Sequence, residues 1–363
     1  MIPDCTLVTC CFDMTKYNNK CRNTTETIGK MKSLLETPCY LVIFTHQLLA
    51  DTIKHIRDEK GLNKCTTYVI CEPEELDSFK YLTLVKSNRE KYHPTKDERT
   101  CAETHLLCCS KFDLVLKIIH SNPFKTSKFG WIDANVGENF SKICTNYTNN
   151  MLLRILANCS ETKFHLQILN VNDKKYVRED CLSEYYSTYR WVVCGCLFIT
   201  GKEVGVPILE DLQKVFIKHT VLGYGHGEEM FYLEILDKYY DSIERSYGDY
   251  QDILNNFLAI TTGINYIKQM ANKYMTMGYH KECVDCCSKV IRQYEHYNIP
   301  MTYPLYFDFL FYNYVSLFYC DNHKAKEFVK HIMQLIDENP YVKVEYEKNK
   351  HFYDEQFKFS LSS

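Results

Sequence analysis

Short apolar runs alternate with helical stretches along the first part of this chain, and that alternation limits the possible folds more than any other feature. Cys5 to Phe12 is an apolar run that stops at Asp13, the length and composition of a buried strand. Helical residues 28–36 follow and end at Pro38, since the residue before a proline is pushed out of helical geometry. Tyr40 to Phe44 predicts a second buried strand, Gln47 to Glu59 a helix terminated by Gly61, and Thr66 to Cys71 a third strand. Strand, helix, strand, helix, strand predicts a parallel α/β sheet with right-handed crossovers.

A longer helix is predicted from Thr100 to His120, with apolar positions such as Leu106, Phe112, Val115 and Ile118 near a 3.6-residue period. Asn122-Pro123 closes it, and Phe129-Gly-Trp-Ile-Asp133-Ala-Asn135-Val-Gly137 follows. A strand ending this way delivers Asp133 and Asn135 to the carboxyl edge of the sheet, where open α/β sheets bind ligands. Hard divalent cations take oxygen ligands, so Asp-x-Asn can hold Mg²⁺ or Mn²⁺ bridging a diphosphate. The same pair also serves in turns, where both side chains satisfy local backbone groups.

At 363 residues the chain has room for a large domain and a smaller one. Its 45% hydrophobic and 25% charged residues are those of a globular protein, and the formal charge of -3 offers no basic footprint for nucleic acid. No window reaches the run of about 18 apolar residues that spans a bilayer. The start carries an acid at position 4 and no basic segment, so it is not read as a secretory leader. With 19 cysteines, several of them inside apolar runs, free thiols in a reducing cytoplasm are expected. Cys283-x-x-Cys286 falls in a helical pattern and is read as core packing rather than half a zinc site.

Further along, a strand is predicted over His165 to Leu169 and a long one over Trp191 to Ile199. The second is interrupted by Gly195; a glycine inside a strand marks either a bulge or a close approach by ligand or backbone. A helix over Val206 to His219 precedes Gly223, Gly225, His226 and Gly227, a loop feeding a helix that starts near Glu228. There Glu228 and Glu229 either complement the helix dipole or supply a general base. Lys111, in mid-helix after Ser110, is either solvated or reaches phosphates. Beyond about residue 260 the pattern is helical only, with Gly278 and Asp321-Asn322 as turns between paired helices spaced by roughly 40 residues, like tetratricopeptide repeats. Such hairpins offer a concave surface to a protein partner.

Ser110-Lys111-Phe112, Asn122-Pro123-Phe124, Trp131-Ile132-Asp133, the strand ending at Asp13 and the glycine at 195 together resemble the HtrL/YibB family. That family is grouped with GT-A fold glycosyltransferases, and similar chains occur in giant viruses. The resemblance covers roughly residues 4 to 256 and implies a GT-A-like nucleotide-sugar domain over 1–259, with an all-α, tetratricopeptide-like region over 260–363. It implies a donor site of Asp13, Lys111, Asp133, Gly195, Cys196 and His226. Asp133 and Asn135 stand at the position of the family's metal motif, which usually carries a second Asp, and Glu228 and Glu229 at that of the catalytic acids. The function so implied is transfer of a sugar from a nucleotide-diphosphate sugar, assisted by Mn²⁺ or Mg²⁺, to a glycan, protein or small-molecule acceptor. Its location would be the cytoplasm, or a virion if the chain is viral. The alternative is a non-catalytic interaction protein, with a degenerate transferase domain presenting helical repeats to a partner.

Overall fold

The structure, a computed structural model, describes residues 2–91, 97–136, 148–224, 226–259, 263–297 and 302–361; Gly137 and Gly225 lie outside them. The α/β part opens with β1 (Cys5–Cys11), α1 (Thr24–Leu35), β2 (Tyr40–Thr45), α2 (Gln47–Glu59) and β3 (Thr66–Ile70). It continues with α3 (Leu82–Lys91), α4 (Ala102–Ser121), β4 (Lys128–Ile132), α5 (Asn149–Asn158), β5 (Phe164–Ile168), α6 (Leu182–Tyr185) and β6 (Leu197–Gly201). Then come α7 (Lys202–Val221), α8 (Leu233–Lys238), β7 (Ile243–Tyr247) and α9 (Ile253–Phe257). Helices α10 (Ile264–Thr276), α11 (His280–Tyr297), α12 (Tyr303–Cys320), α13 (Asn322–Glu338), α14 (Pro340–Glu347) and α15 (Lys350–Leu361) complete the chain.

The seven strands form one sheet in the order β3-β2-β1-β4-β6-β5-β7. Strands β3, β2, β1 and β4 are parallel, as the alternating pattern predicts, while β6 runs antiparallel to both β4 and β5. The fold class is therefore the expected α/β one, a mainly parallel sheet flanked by helices with a helical region after it. Leu7, Leu41, Ile43, Ile132 and Ile199 point from one face of the sheet into a core with Met31, Leu34, Leu49, Ile53 and Ile155, all at most 1% exposed. Helix α4 lies against β1 and β4 and packs on α7.

Two parts of the sequence reading change. The long strand expected over Trp191 to Ile199 is paired only from Leu197, with an isolated bridge from Val193 to Ile168, and Gly195 lies in the turn between. Its carbonyl leaves the ladder to accept a side-chain hydrogen bond from Lys111. The helix expected at Glu228 is a single 3-10 turn, Glu228–Met230, entered through Gly227 at φ 77, and regular helix begins only at Leu233. A left-handed entry of this kind costs a glycine nothing sterically.

The first βα units are pinned by Arg57, which is 0% exposed. Its guanidinium donates to the carbonyls of Leu35 (3.0 Å), Thr37 (2.8 Å) and Cys39 (3.0 Å) and to Thr66 Oγ1 (2.7 Å). Lys128 does the same for α5, its Nζ donating to the carbonyls of Leu156 (2.5 Å) and Cys159 (3.1 Å) beyond the helix end.

The chain divides into two compact units, Met1–Ser246 with Tyr250–Leu258 and Tyr247–Asp249 with Ala259–Ser363. Within the second, α10 packs on α11, α11 on α12 and α12 on α13, with Gly278 at φ 75 turning the first pair. Cys283, Cys286 and Cys287 are each 0% exposed in this helical core. Every cysteine among the described residues is a free thiol, and none of the described helices is long and apolar enough to cross a membrane.

Arg57→Leu would remove the guanidinium donors from the buried carbonyls of Leu35, Thr37 and Cys39, with Thr37 keeping the Cys39 N–H at 2.9 Å. We expect a loss of about 3 kcal/mol of stability, read as a lower urea midpoint, with Arg57→Lys recovering only part of it because one ammonium cannot span the same acceptors.

Candidate functional site

Strands β1 and β4 end side by side: Val8 pairs with Trp131, so continuing the register sets Cys10 level with Asp133. Just past β4, the Asp133 N–H donates to the Cys196 carbonyl at 2.8 Å, and the Val136 N–H closes a turn onto the Asp133 carbonyl at 3.1 Å. The Asp133 carboxylate is not consumed by that turn. Its Oδ1 accepts the Trp131 indole N–H at 2.5 Å, and its side chain is 31% exposed. Asn135 is half-buried two residues on.

Helix α4 brings Lys111 beneath this edge. The ammonium is 1% exposed and donates to the Gly195 carbonyl at 2.8 Å and to Glu228 Oε1 at 2.5 Å, with Asp133 Oδ1 at 3.8 Å. It also stands 5.6 Å from the centre of the Trp131 ring. Burial alone would lower the pKa of this amine, but the Glu228 and Asp133 carboxylates more than offset it and hold the amine well above its ordinary value. Gly195 is what lets the pair close: a Cβ there would come within 2.7 Å of Glu228 Oε1 and 3.2 Å of Lys111 Nζ.

Glu229 turns the other way. It is 8% exposed and accepts a hydrogen bond from the Tyr189 hydroxyl, whose ring lies where a Cβ on Gly227 would be. Burial first, then the charge of Glu228, push its carboxyl up to about 8, and Lys111 offsets only part of this. The Gly227 N–H donates to His105 Nδ1 at 3.1 Å; burial, aided by Arg89, lowers the His105 pKa to about 3, so the imidazole stays neutral and able to accept. Sequence neighbours thus become chemically different, one carboxylate salt-bridged and the other held as an acid at neutral pH.

Several residues that the sequence did not mark as site residues lie near the cluster. Cys108, a free thiol on the same helix as Lys111, is exposed to solvent. The Tyr232 hydroxyl, on a residue 1% exposed, has no hydrogen-bond partner among the described residues. Tyr250 OH stands 3.0 Å from Cys196 Sγ. Cys108 precedes Lys111 by one helical turn and was findable by spacing; no local pattern signals Tyr189 or Tyr232.

Of the residues anticipated from sequence, Lys111, Asp133, Gly195, Glu228 and Glu229 converge, and Cys196 joins through its carbonyl. Asp13 is engaged locally, accepting from Thr15 N (2.9 Å), Thr15 Oγ1 (2.5 Å) and Thr24 Oγ1 (2.7 Å). Burial would raise its pKa, and those hydrogen bonds lower it overall. His226 is buried at 1% exposure rather than facing solvent. Among the described residues no group of three or more His, Cys, Asp or Glu side chains is placed to hold a metal ion.

The raised Glu229 carboxyl has a sign that can be checked. It keeps its proton in the folded chain, whereas the unfolded chain releases it above about 4.5, so the stability it contributes is full below 4.5 and is lost as pH rises to about 8. Relative to wild type, Glu229→Gln should therefore gain stability across that window, by at most about 1.4 kcal/mol per pH unit, in urea melts at successive pH values.

The sequence matches, over residues 3–221, the family described as "Bacterial protein of unknown function (HtrL_YibB)". No curated protein matches the chain. Among solved structures it is similar to mouse xyloside xylosyltransferase 1 in its apo form, at 12% identity, covering 66% of this chain and 84% of that one with a TM-score of 0.34. The match over residues 3–221 spans more than half of the 363 residues, and the chain belongs to the HtrL/YibB family.

Proposed function

We propose that this protein is a glycosyltransferase that uses a nucleotide-diphosphate sugar. The observation that carries the reading is the pairing of a half-exposed Asp133 at the carboxyl edge of the sheet with a buried, proton-holding Glu229 across the Lys111–Glu228 ion pair. An acid near neutral pKa beside a fixed charge cluster is the arrangement that acyl, phosphoryl or glycosyl transfer requires of a general base.

In this reading Asp133 and Asn135 would hold Mn²⁺ or Mg²⁺, which would supply neutralising charge to a departing diphosphate. Their oxygen-bearing side chains suit a hard cation, and only one carboxylate oxygen of Asp133 is engaged by the Trp131 indole. Lys111 sets the field at Asp133 from below, with two of its protons given to the Gly195 carbonyl and Glu228. Glu229 takes the proton of the acceptor hydroxyl as that oxygen bonds the anomeric carbon and the bond to the diphosphate breaks. Tyr189 orients Glu229, and Gly195 keeps Lys111 and Glu228 in contact.

A second reading, a non-catalytic protein whose helical region binds a partner, draws on the same ion pair, since a buried ammonium paired with Glu228 can serve the fold alone. Calorimetry separates the two. A panel of UDP-, GDP- and dTDP-sugars with Mn²⁺ should contain a binder, and Asp133→Ala should weaken it at least about tenfold, or about 1.4 kcal/mol. Absence of binding across the panel would overturn the transferase reading.

Transfer itself should rise with pH as Glu229 loses its proton near pH 8. Glu229→Gln should abolish transfer while leaving donor affinity within about threefold, checked by product formation at saturating donor.

A further inference from the structure

Of the two tryptophans in the chain, Trp131 is 2% exposed and lies under Asp133, whereas Trp191 is 53% exposed. A large aromatic face left in water is ordinary when it stands alone on a surface. Trp191 does not stand alone. Its ring meets Tyr189 edge to face, with centroids 5.1 Å apart at 60°, and the Tyr189 hydroxyl is the donor to Glu229. The indole and the proposed base are thus separated by the length of one tyrosine side chain.

This aromatic is also held still. The Trp191 carbonyl accepts from Asn170 Nδ2 at 2.8 Å, and the next carbonyl, Val192, accepts from Leu169 N at 3.0 Å. Tyr189 itself is wedged against Gly227, where no larger residue would leave room for its ring. Among the described residues the Trp191 indole N–H has no hydrogen-bond partner. An aromatic side chain on a backbone fixed in this way, with its ring against Tyr189, has less entropy left to lose on binding.

The apolar C–H face of a pyranose matches an indole in size, and its hydroxyl rim suits a neighbouring N–H donor. Building on the transferase reading, we propose that Trp191 is the platform for the acceptor, that the acceptor is a glycan, and that stacking of its terminal ring on the indole presents a hydroxyl to Glu229. Tyr189 is the positioning residue that fixes platform and base relative to each other.

Labelled full-length protein on an array of mono- to tetrasaccharides, followed by calorimetry of the best binder, tests this. We expect at least one carbohydrate to bind, Trp191→Ala to weaken it about tenfold, and Trp191→Phe to stay within about threefold, with thermal melts showing both variants folded. No carbohydrate retained on the array, or equal binding by Trp191→Ala, overturns the proposal. Titrating the wild type with the sugar-nucleotide panel keeps the two readings apart. Donor binding without a Trp191-dependent glycan removes the platform and spares the transferase; a Trp191-dependent glycan without donor binding removes the transferase and with it the acceptor role, leaving a glycan-binding surface at Trp191.

Discussion

An ammonium group buried at the carboxyl edge of a sheet must be compensated, and the arrangement around Lys111 is that compensation. Stripping the charge of water costs several kcal/mol, which a carboxylate at 2.5 Å and a carbonyl at 2.8 Å offset only if both are fixed in place. Glu228 is held by its 3-10 turn, and the Gly195 carbonyl is supplied by a turn that leaves the sheet. The shape of the segment from Val193 to Leu197 and that of the turn from Gly227 to Met230 both answer to one side chain on α4.

Once Glu228 is committed to Lys111, Glu229 is left with Tyr189 and with a negative neighbour. Its raised pKa follows from burial first and then from the negative charge of Glu228, with Lys111 offsetting only part of this. Asp133 lies on the third side of the same ammonium, close enough to share its field while keeping a third of its surface in solvent. Around one buried cation stand three carboxylates in different states: Glu228 salt-bridged, Glu229 kept protonated by its burial and its charged neighbour, and Asp133 partly exposed.

The α/β order was legible because strand and helix periods differ and because Pro38, Gly61 and Asn122-Pro123 punctuate them; β1, β2, β3, α2 and α4 all fall where those signals put them. The reading of Trp191 to Ile199 as one strand failed for a reason that has no local trace: an apolar run shows where pairing is favourable, and the pull of Lys111 on the Gly195 carbonyl comes from a helix 84 residues away. The antiparallel setting of β6 is equally silent in a window of neighbours, since direction depends on how the preceding connection crosses the sheet. The same holds for Tyr189, whose hydroxyl meets the cluster without any spacing that relates the two.

The residues by themselves determined the alternation that makes a mainly parallel sheet, the placement of Asp133 at a strand's carboxyl end, and the family marks around Lys111 and Trp131. These are local matters of period, punctuation and motif. Tertiary structure alone decided that Lys111 faces inward to Glu228, that Glu229 differs from its neighbour, and that Asp13 is engaged in its own loop. Charge and protonation depend on what stands within a few ångströms in space, and folding brings those partners from segments that the chain keeps far apart.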